Sequence, residues 1–237
     1  MPASPTSSDH ISVFLVEDHP AILEAVKCQA SQTLGIEVCG TTGSMAEAFR
    51  QIEKHQPDVV VVDISLEDGH GLDLIQNVRA QCPDVKAIVF SMYDETVYAE
   101  RALRMGASGY LMKDEPLEEL INGIRAVNDG EVYLSDQMSS RVLNKAVRGE
   151  DAEAGGPIDE LTDRELAVFQ MLGEGYSLEE IQDRLNIARK TVEAYRREAK
   201  EKLGVGSVAE LLRYAVQWTT APEDGTKTLK ETAGGET

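Results

Sequence analysis

The chain has 237 residues, with 23 Lys plus Arg against 42 Asp plus Glu, a formal charge of −19. Apolar residues make up 42% and charged residues 27%, which suits a core-forming globular protein and excludes a largely disordered one. No apolar run approaches the ~20 residues a membrane helix needs. Residues 1–10 lack the basic start and apolar run of a secretory leader, and Cys28, Cys39 and Cys82 form no C-x-x-C pair. The expectation is a reduced, cytoplasmic, soluble protein without membrane attachment, in one large or two small domains.

Residues 1–10 are predicted to be disordered. From residue 11 short apolar runs alternate with segments of helical period. Strands are predicted over 11–16, 36–39, 59–62, 87–90 and 109–112. Helices are predicted over 21–34, 45–54, 72–80, 96–105 and 117–128, each with apolar residues three or four apart. Five strand-then-helix repeats imply a doubly wound α/β domain over 11–128, a five-stranded parallel sheet with helices on both faces. The run 59–62 is apolar at every position, as a central strand buried on both faces must be.

Residues 129–157 read as a linker that contains a helix over 135–147 and ends in the acidic, Gly-rich stretch 149–157. Residues 158–218 predict a small all-α domain of four helices over 163–174, 178–185, 188–203 and 207–218. Thr162 stands three residues before Glu165, the spacing of a capping box, and Gly173, Gly175, Gly204 and Gly206 sit at stop positions. The tail 219–237 is polar and predicted to be disordered.

In an open parallel sheet, ligands bind outside the carboxyl ends of the strands. The first predicted strand ends in Glu17 and Asp18, the third in Asp63. If these strands are neighbours, three carboxylates meet, and their mutual repulsion calls for a cation. An all-oxygen site suits octahedral Mg2+. Ser91 and Lys113 end the next two strands and would add a hydroxyl and an ammonium. A carboxylate so placed can accept a phosphoryl group, and positioning and charge neutralisation supply most of that catalysis. His19 and His70 lie nearby in sequence but show no ligand spacing and are read as structural or exposed. The donor histidine then belongs to another protein.

The segments VFLVEDHP (13–20), PDVVVVDISL (57–66), IVFSMYDE (88–95) and GASGYLMKD (106–114) resemble the receiver domain of bacterial two-component response regulators. That resemblance implies a flavodoxin-like fold with Asp63 as phosphoacceptor. It implies Mg2+ held by Glu17, Asp18, Asp63 and the backbone carbonyl of Ser65. Lys113 would bind the phosphate, Ser91 would be the switch hydroxyl and Tyr110 the switch aromatic, both drawn inward on phosphorylation. Asp114 follows Lys113 where many members carry proline, and 67–69 reads Glu-Asp-Gly where many carry Pro-Gly.

Residues 1–156 carry a net charge of −14 and residues 157–218 only −3, yet 189–202 holds six basic side chains against three acidic. Helices over 178–185 and 188–203, separated by a tight turn, fit a helix-turn-helix whose second helix enters the major groove. Thr191 can donate to a phosphate; Lys190, Arg196, Lys200 and Lys202 can neutralise backbone charge; Arg197 can reach a guanine edge. Ile181, Leu185, Ile187, Val192 and Leu203 read as core. LTDRELAVFQ (161–170), GYSLEEIQDRLNI (175–187) and KTVEAYRREAKEKLGV (190–205) resemble the LuxR-type output domain of NarL/FixJ regulators. By that resemblance Glu193, Ala194 and Arg197 face bases, while Lys190, Thr191, Tyr195 and Lys202 face the backbone. The final helix would pair two subunits through Leu211, Leu212, Ala215 and Val216, whose spacing suits an intramolecular face equally.

The expected function is therefore a DNA-binding transcription regulator, not an enzyme. It would be phosphorylated by a sensor histidine kinase, bind double-stranded DNA and form a homodimer when phosphorylated. The acidic first helix of the pair, with Glu179, Glu180 and Asp183, keeps open a second class: a phosphorylation-controlled protein-interaction regulator whose DNA binding is weak or lost.

Overall fold

The structure, a computed structural model, describes residues 10–66, 68–148, 157–185 and 187–220. The regions expected to be disordered or flexible at 1–9, 149–156 and 221–237 lie outside these residues. The chain divides into two units, residues 1–149 and 150–237.

The first unit runs β1 (Ile11–Val16), α1 (Pro20–Ser31), β2 (Ile36–Thr42), α2 (Met45–His55), β3 (Val59–Val62), β4 (Ser65–Leu66), β5 (Gly69–His70), α3 (Gly71–Gln81), β6 (Lys86–Ser91), α4 (Glu95–Met105), β7 (Gly109–Met112), α5 (Leu117–Asn128) and α6 (Asp136–Arg148). Five strands form one parallel sheet in the order β2-β1-β3-β6-β7, and β4 and β5 make a short antiparallel pair beside it. All four residues of β3 are buried. Val13, Leu15, Val59, Val61, Ile88 and Phe90 point to one face, where they pack with Val26, Ala30, Ile124 and Val127. The alternate residues point to the opposite face, as the two-residue period of a strand requires.

The caps draw on side chains from elsewhere in the chain. Asp68, just past β4, accepts from Ser44 Oγ at 2.6 Å and from the amide of Met45 at 2.7 Å, so it caps α2 across the sheet edge. His70 Nδ1 accepts from the amide of Leu72 and caps α3, the structural role expected of it. Gly71 opens that helix with no room for a side chain, since a Cβ there would stand 2.1 Å from the carbonyl oxygen of Asp63.

Residues 129–148 do more than link. Tyr133 forms an isolated bridge to Gly109, accepting from the amide of Tyr110 at 2.9 Å and donating its own to Ser108 O at 3.0 Å. This places the segment along the free edge of β7. The helix predicted inside the linker is α6, and it lies along α4 as part of the first unit.

The second unit holds a 3-10 turn (Pro157–Glu160), α7 (Asp163–Gly173), α8 (Leu178–Leu185), α9 (Arg189–Lys202) and α10 (Val208–Thr220). The capping box of Thr162 and Glu165 is formed in both directions. Leu166, Phe169, Leu172, Ile181, Leu185, Val192, Leu203, Leu211 and Ala215 are buried, and Ile187 is half-buried. Gly173 does not stop its helix by a left-handed turn. A Cβ there would lie 2.5 Å from the carbonyl of Ala215, so it sets the close approach of α7 and α10. Gly175 and Gly204, at φ 92 and 66, do turn the chain. Thr219 and Thr220, assigned to the tail by their polarity, instead complete α10, their hydroxyls donating to the carbonyls of Ala215 and Val216.

Candidate functional site

The sheet order puts β1 beside β3, with Val16 opposite Val62. The amide of Asp63 then donates to Val16 O at 2.9 Å, and that of Glu17 to Thr42 O at 2.9 Å. Glu17, Asp18 and Asp63 consequently emerge together at the carboxyl edge. Further along the same edge, the amide of Lys113 donates to Ser91 O at 2.8 Å. The long Lys113 side chain reaches back across β6, and its Nζ lies 2.6 Å from Glu17 Oε2 and 2.8 Å from Asp63 Oδ2. The amide of Ser65 donates to Asp63 Oδ1 at 3.2 Å.

The group is almost wholly buried, with Glu17 5% and Asp63 3% exposed. Burial, then the neighbouring Asp63 charge, pushes the Glu17 carboxyl above its ordinary range, against the pull of Lys113. For Lys113 burial works the other way, but the two carboxylates prevail and raise it. Three carboxylates against one ammonium leave two negative charges uncompensated, which is the charge a divalent cation brings.

Glu17, Asp18, His19 and Asp63 each offer a ligand atom, all within 4.8 Å of one another. This oxygen-rich donor set fits a hard divalent cation. His19, expected to be structural or exposed, proves to be 54% exposed at its side chain yet part of the cluster, with Nδ1 2.8 Å from Asp18 Oδ1 and 3.1 Å from Glu17 Oε1. Its place after the acidic pair was the only signal.

Ser91 and Tyr110 are fully buried. Tyr110 lies inside, its hydroxyl donating to the carbonyl of Tyr93 at 2.8 Å. The amide of Tyr93 in turn lies 3.4 Å from Ser91 Oγ, its hydroxyl 3.5 Å from Ser65 Oγ, and its ring stacks on Tyr98 of α4 with centroids 4.8 Å apart. Tyr93 was not singled out by the sequence; it joins the acidic site to α4.

In the second unit, α9 buries Val192 and Ala199 and presents the opposite side. Lys190, Glu193 and Arg197 form an exposed stripe three and four residues apart, flanked by half-buried Thr191, Ala194, Tyr195, Arg196 and Lys200. Lys202, expected to face a DNA backbone, has its ammonium 2.7 Å from Oε2 of buried Glu165. Arg189 lies between Glu179 and Glu193 at 3.2 and 3.3 Å. The apolar set on α10 divides. Leu211 and Ala215 are buried, while Leu212 and Val216 join Val208 in an exposed stripe four residues apart.

Residues 13–125 match the response regulator receiver domain, and residues 159–215 match the bacterial regulatory proteins of the luxR family. The oxygen regulatory protein NreC of Staphylococcus carnosus is 32% identical over 211 residues, covering 87% of this chain and 97% of NreC. The chain is a response regulator of the LuxR family. NreC of Staphylococcus haemolyticus is 29% identical over the same shares. RcsB of Salmonella enterica serovar Typhimurium, solved bound to promoter P1flhDC in the presence of the phosphomimetic BeF3-, superposes with a TM-score of 0.54 at 25% identity. That match covers 87% of this chain and 98% of RcsB. This response regulator thus joins a receiver to a LuxR-type DNA-binding domain. It belongs to transcription regulators rather than enzymes, and the receiver implies a histidine kinase as phosphodonor. No helix among the described residues is long and apolar enough to cross a membrane.

Proposed function

We propose that Asp63 is the phosphoacceptor and that its phosphorylation controls DNA binding through α9. The convergence of Glu17, Asp18, Asp63 and Lys113 on one sheet edge carries this reading. A carboxylate oxygen of Asp63 bonds to phosphorus as the P–N bond of the kinase phosphohistidine breaks, and the freed imidazole takes up a proton. Lys113 stays beside the acceptor and neutralises a phosphoryl oxygen, and Ser91 donates its hydroxyl to another. Glu17, Asp18, Asp63 and the carbonyl of Ser65 would hold Mg2+, which when bound supplies further neutralisation of the phosphoryl oxygens. Asp63 is nearly covered, so the donor approaches from the side of His19, the exposed member of the cluster.

On DNA, Glu193, Ala194 and Arg197 face base edges, and Lys190, Thr191, Tyr195, Arg196 and Lys200 face the backbone. Lys202 serves Glu165 instead. The exposed stripe of Val208, Leu212 and Val216 supports a homodimer on DNA. The test is titration of a target duplex with the full chain, with and without acetyl phosphate and Mg2+. Affinity rises on phosphorylation and falls steeply with salt. Affinity that ignores both salt and phosphorylation favours the protein-interaction reading, which the pairing of Arg189 and Lys202 with glutamates supports.

A further inference from the structure

The sheet edge opposite the acidic cluster carries a second concavity. β6 begins at Lys86 and β7 at Gly109, and in a parallel sheet these amino ends lie far from the edge that holds Asp63. There the C-terminal ends of α3 and α4, with the loops that follow them, enclose a cavity of about 310 Å3 that is open to solvent. Ile75, Val78 and Leu103 wall it, and Ala87 of β6 lies at its floor. Ile75, Val78 and Ala87 belong to the buried core, so the apolar wall is rigidly placed. The volume stands at the small end of the ~300–1,000 Å3 usual for sites that take small organic molecules.

Two cations line this cavity, Arg79 and Lys86, and no Asp or Glu does. The sheet fixes Lys86, whose amide donates to the carbonyl of Asp58 at 3.0 Å. The carboxylate of Asp58 is turned to Ser12, accepting from its amide at 2.7 Å and its hydroxyl at 2.6 Å. Arg79 is seated across Gly106, where a Cβ would stand 2.3 Å from Arg79 Cδ and where φ is 112, a value suited to glycine. From that seat the guanidinium donates to the carbonyl of Arg104 at 3.3 Å and keeps further N–H donors. Among the described residues no carboxylate pairs with either cation.

Two helices end at this cavity, and unsatisfied carbonyls at helix ends attract cations. Those of α4 are occupied. Ala102 O accepts from the amides of Gly106 and Ala107, Leu103 O from that of Gly106, and Arg104 O from Arg79. At the end of α3, Val78 O accepts from the amide of Cys82 at 2.7 Å. The charge the cavity presents is therefore that of its two side chains, positive in a chain of net charge −19.

We propose that this cavity binds a small organic anion. Its carboxylate or phosphate head sits between Arg79 and Lys86, with the hydroxyl of Ser108 as a further donor, and its apolar body lies against Ile75, Val78 and Leu103. Ligands of open parallel sheets gather at the carboxyl edge, so the fold does not call for a site here. Cavity and charge together carry the proposal, and it stands whether or not Asp63 is the phosphoacceptor.

The test is a titration of the full chain, enriched in 15N, with 1-naphthoate, followed by its amide shifts. Shifts at Val78, Ala87 and Ser108 are expected to saturate in the low millimolar range. Arg79→Gln and Lys86→Gln each weaken binding about two- to fivefold, with the shifts of β3 unchanged as the check on folding. 1-Naphthyl phosphate, added without Mg2+, compares the two heads; the tighter of the pair names the headgroup, and either supports the site. Acetate binding as tightly as 1-naphthoate would overturn the apolar half of the proposal, and uncharged 1-naphthalenemethanol doing so would overturn the anionic half. Shifts confined to the basic helix α9, or binding unaltered in both variants, overturn the site itself.

Discussion

Lys113 Nζ donates to Asp63 Oδ2 across 2.8 Å, and both side chains are almost wholly buried, 3% and 2% exposed. The ammonium is the only cation the described residues place among these carboxylates, and it is fixed by two of them. Removing one partner of a buried pair leaves the other charge uncompensated, at a cost of about 3–5 kcal/mol. Lys113→Ala is therefore expected to lower unfolding stability by that order and to make it strongly dependent on added Mg2+. Urea melts with and without Mg2+ check this. Equal stability in both would show that no cation takes over the role of the ammonium.

Gly71 meets the backbone of Asp63 with no space for a methyl group. Gly71→Ala must displace the strand end that carries Asp63, the proposed acceptor, and over-packing of this kind costs about 1–3 kcal/mol. Phosphorylation by acetyl phosphate is expected to slow by more than about tenfold in protein that still melts cooperatively, because small misplacements weaken catalysis disproportionately. Phosphorylation at the wild-type rate would show that the close contact does not position Asp63.

Arg197 and Lys202 stand on the same helix but have different surroundings. Arg197→Ala is expected to cost about 1–3 kcal/mol in binding a specific duplex, measured by titration, with no loss of thermal stability. Lys202→Gln leaves Glu165 buried without its ammonium, so it lowers unfolding stability by about 1–3 kcal/mol and leaves the salt dependence of DNA binding unchanged. A reversed outcome would return Lys202 to the DNA surface.

High pH weakens the first unit through three groups. Burial, then the Asp63 charge, raises Tyr110 well above the tyrosine range. Lys113 is raised by its carboxylates despite burial, and burial together with Glu119 pushes Tyr133 up to about 12. A raised folded value gives stability that is full below the unfolded pKa and is lost as pH rises through the folded one. Stability is thus expected to fall from about pH 10 upward, and less steeply in Tyr133→Phe. Denaturant melts across that range check the slope; identical slopes would mean that the Tyr133 hydroxyl adds nothing to it.

The sheet and its site were legible because they rest on local pattern. The apolar runs, the acids at the ends of two of them and the lysine at the end of another were each visible in a few residues. One topological rule, that ligands gather at the carboxyl edge, brought them together. What escaped depends on contacts between distant segments. Asp68 caps a helix that starts 23 residues earlier, Lys202 reaches back 37 residues to Glu165, and Lys145 reaches 45 residues back to Glu100. No period or spacing encodes such pairs. Residues 129–148 read as a linker because they follow the last strand-helix repeat, yet backbone bonds at Tyr133 and ion pairs at Glu100 attach them to the receiver.

The most direct measurement of the central claim is chemical mapping of the acceptor. The full chain is incubated with acetyl phosphate and Mg2+, then reduced with borohydride, which converts an aspartyl phosphate to homoserine. Peptide mass spectrometry is expected to place homoserine at position 63, with none formed when Mg2+ is withheld. Homoserine at position 18 or at any other aspartate, with position 63 unchanged, would contradict the account.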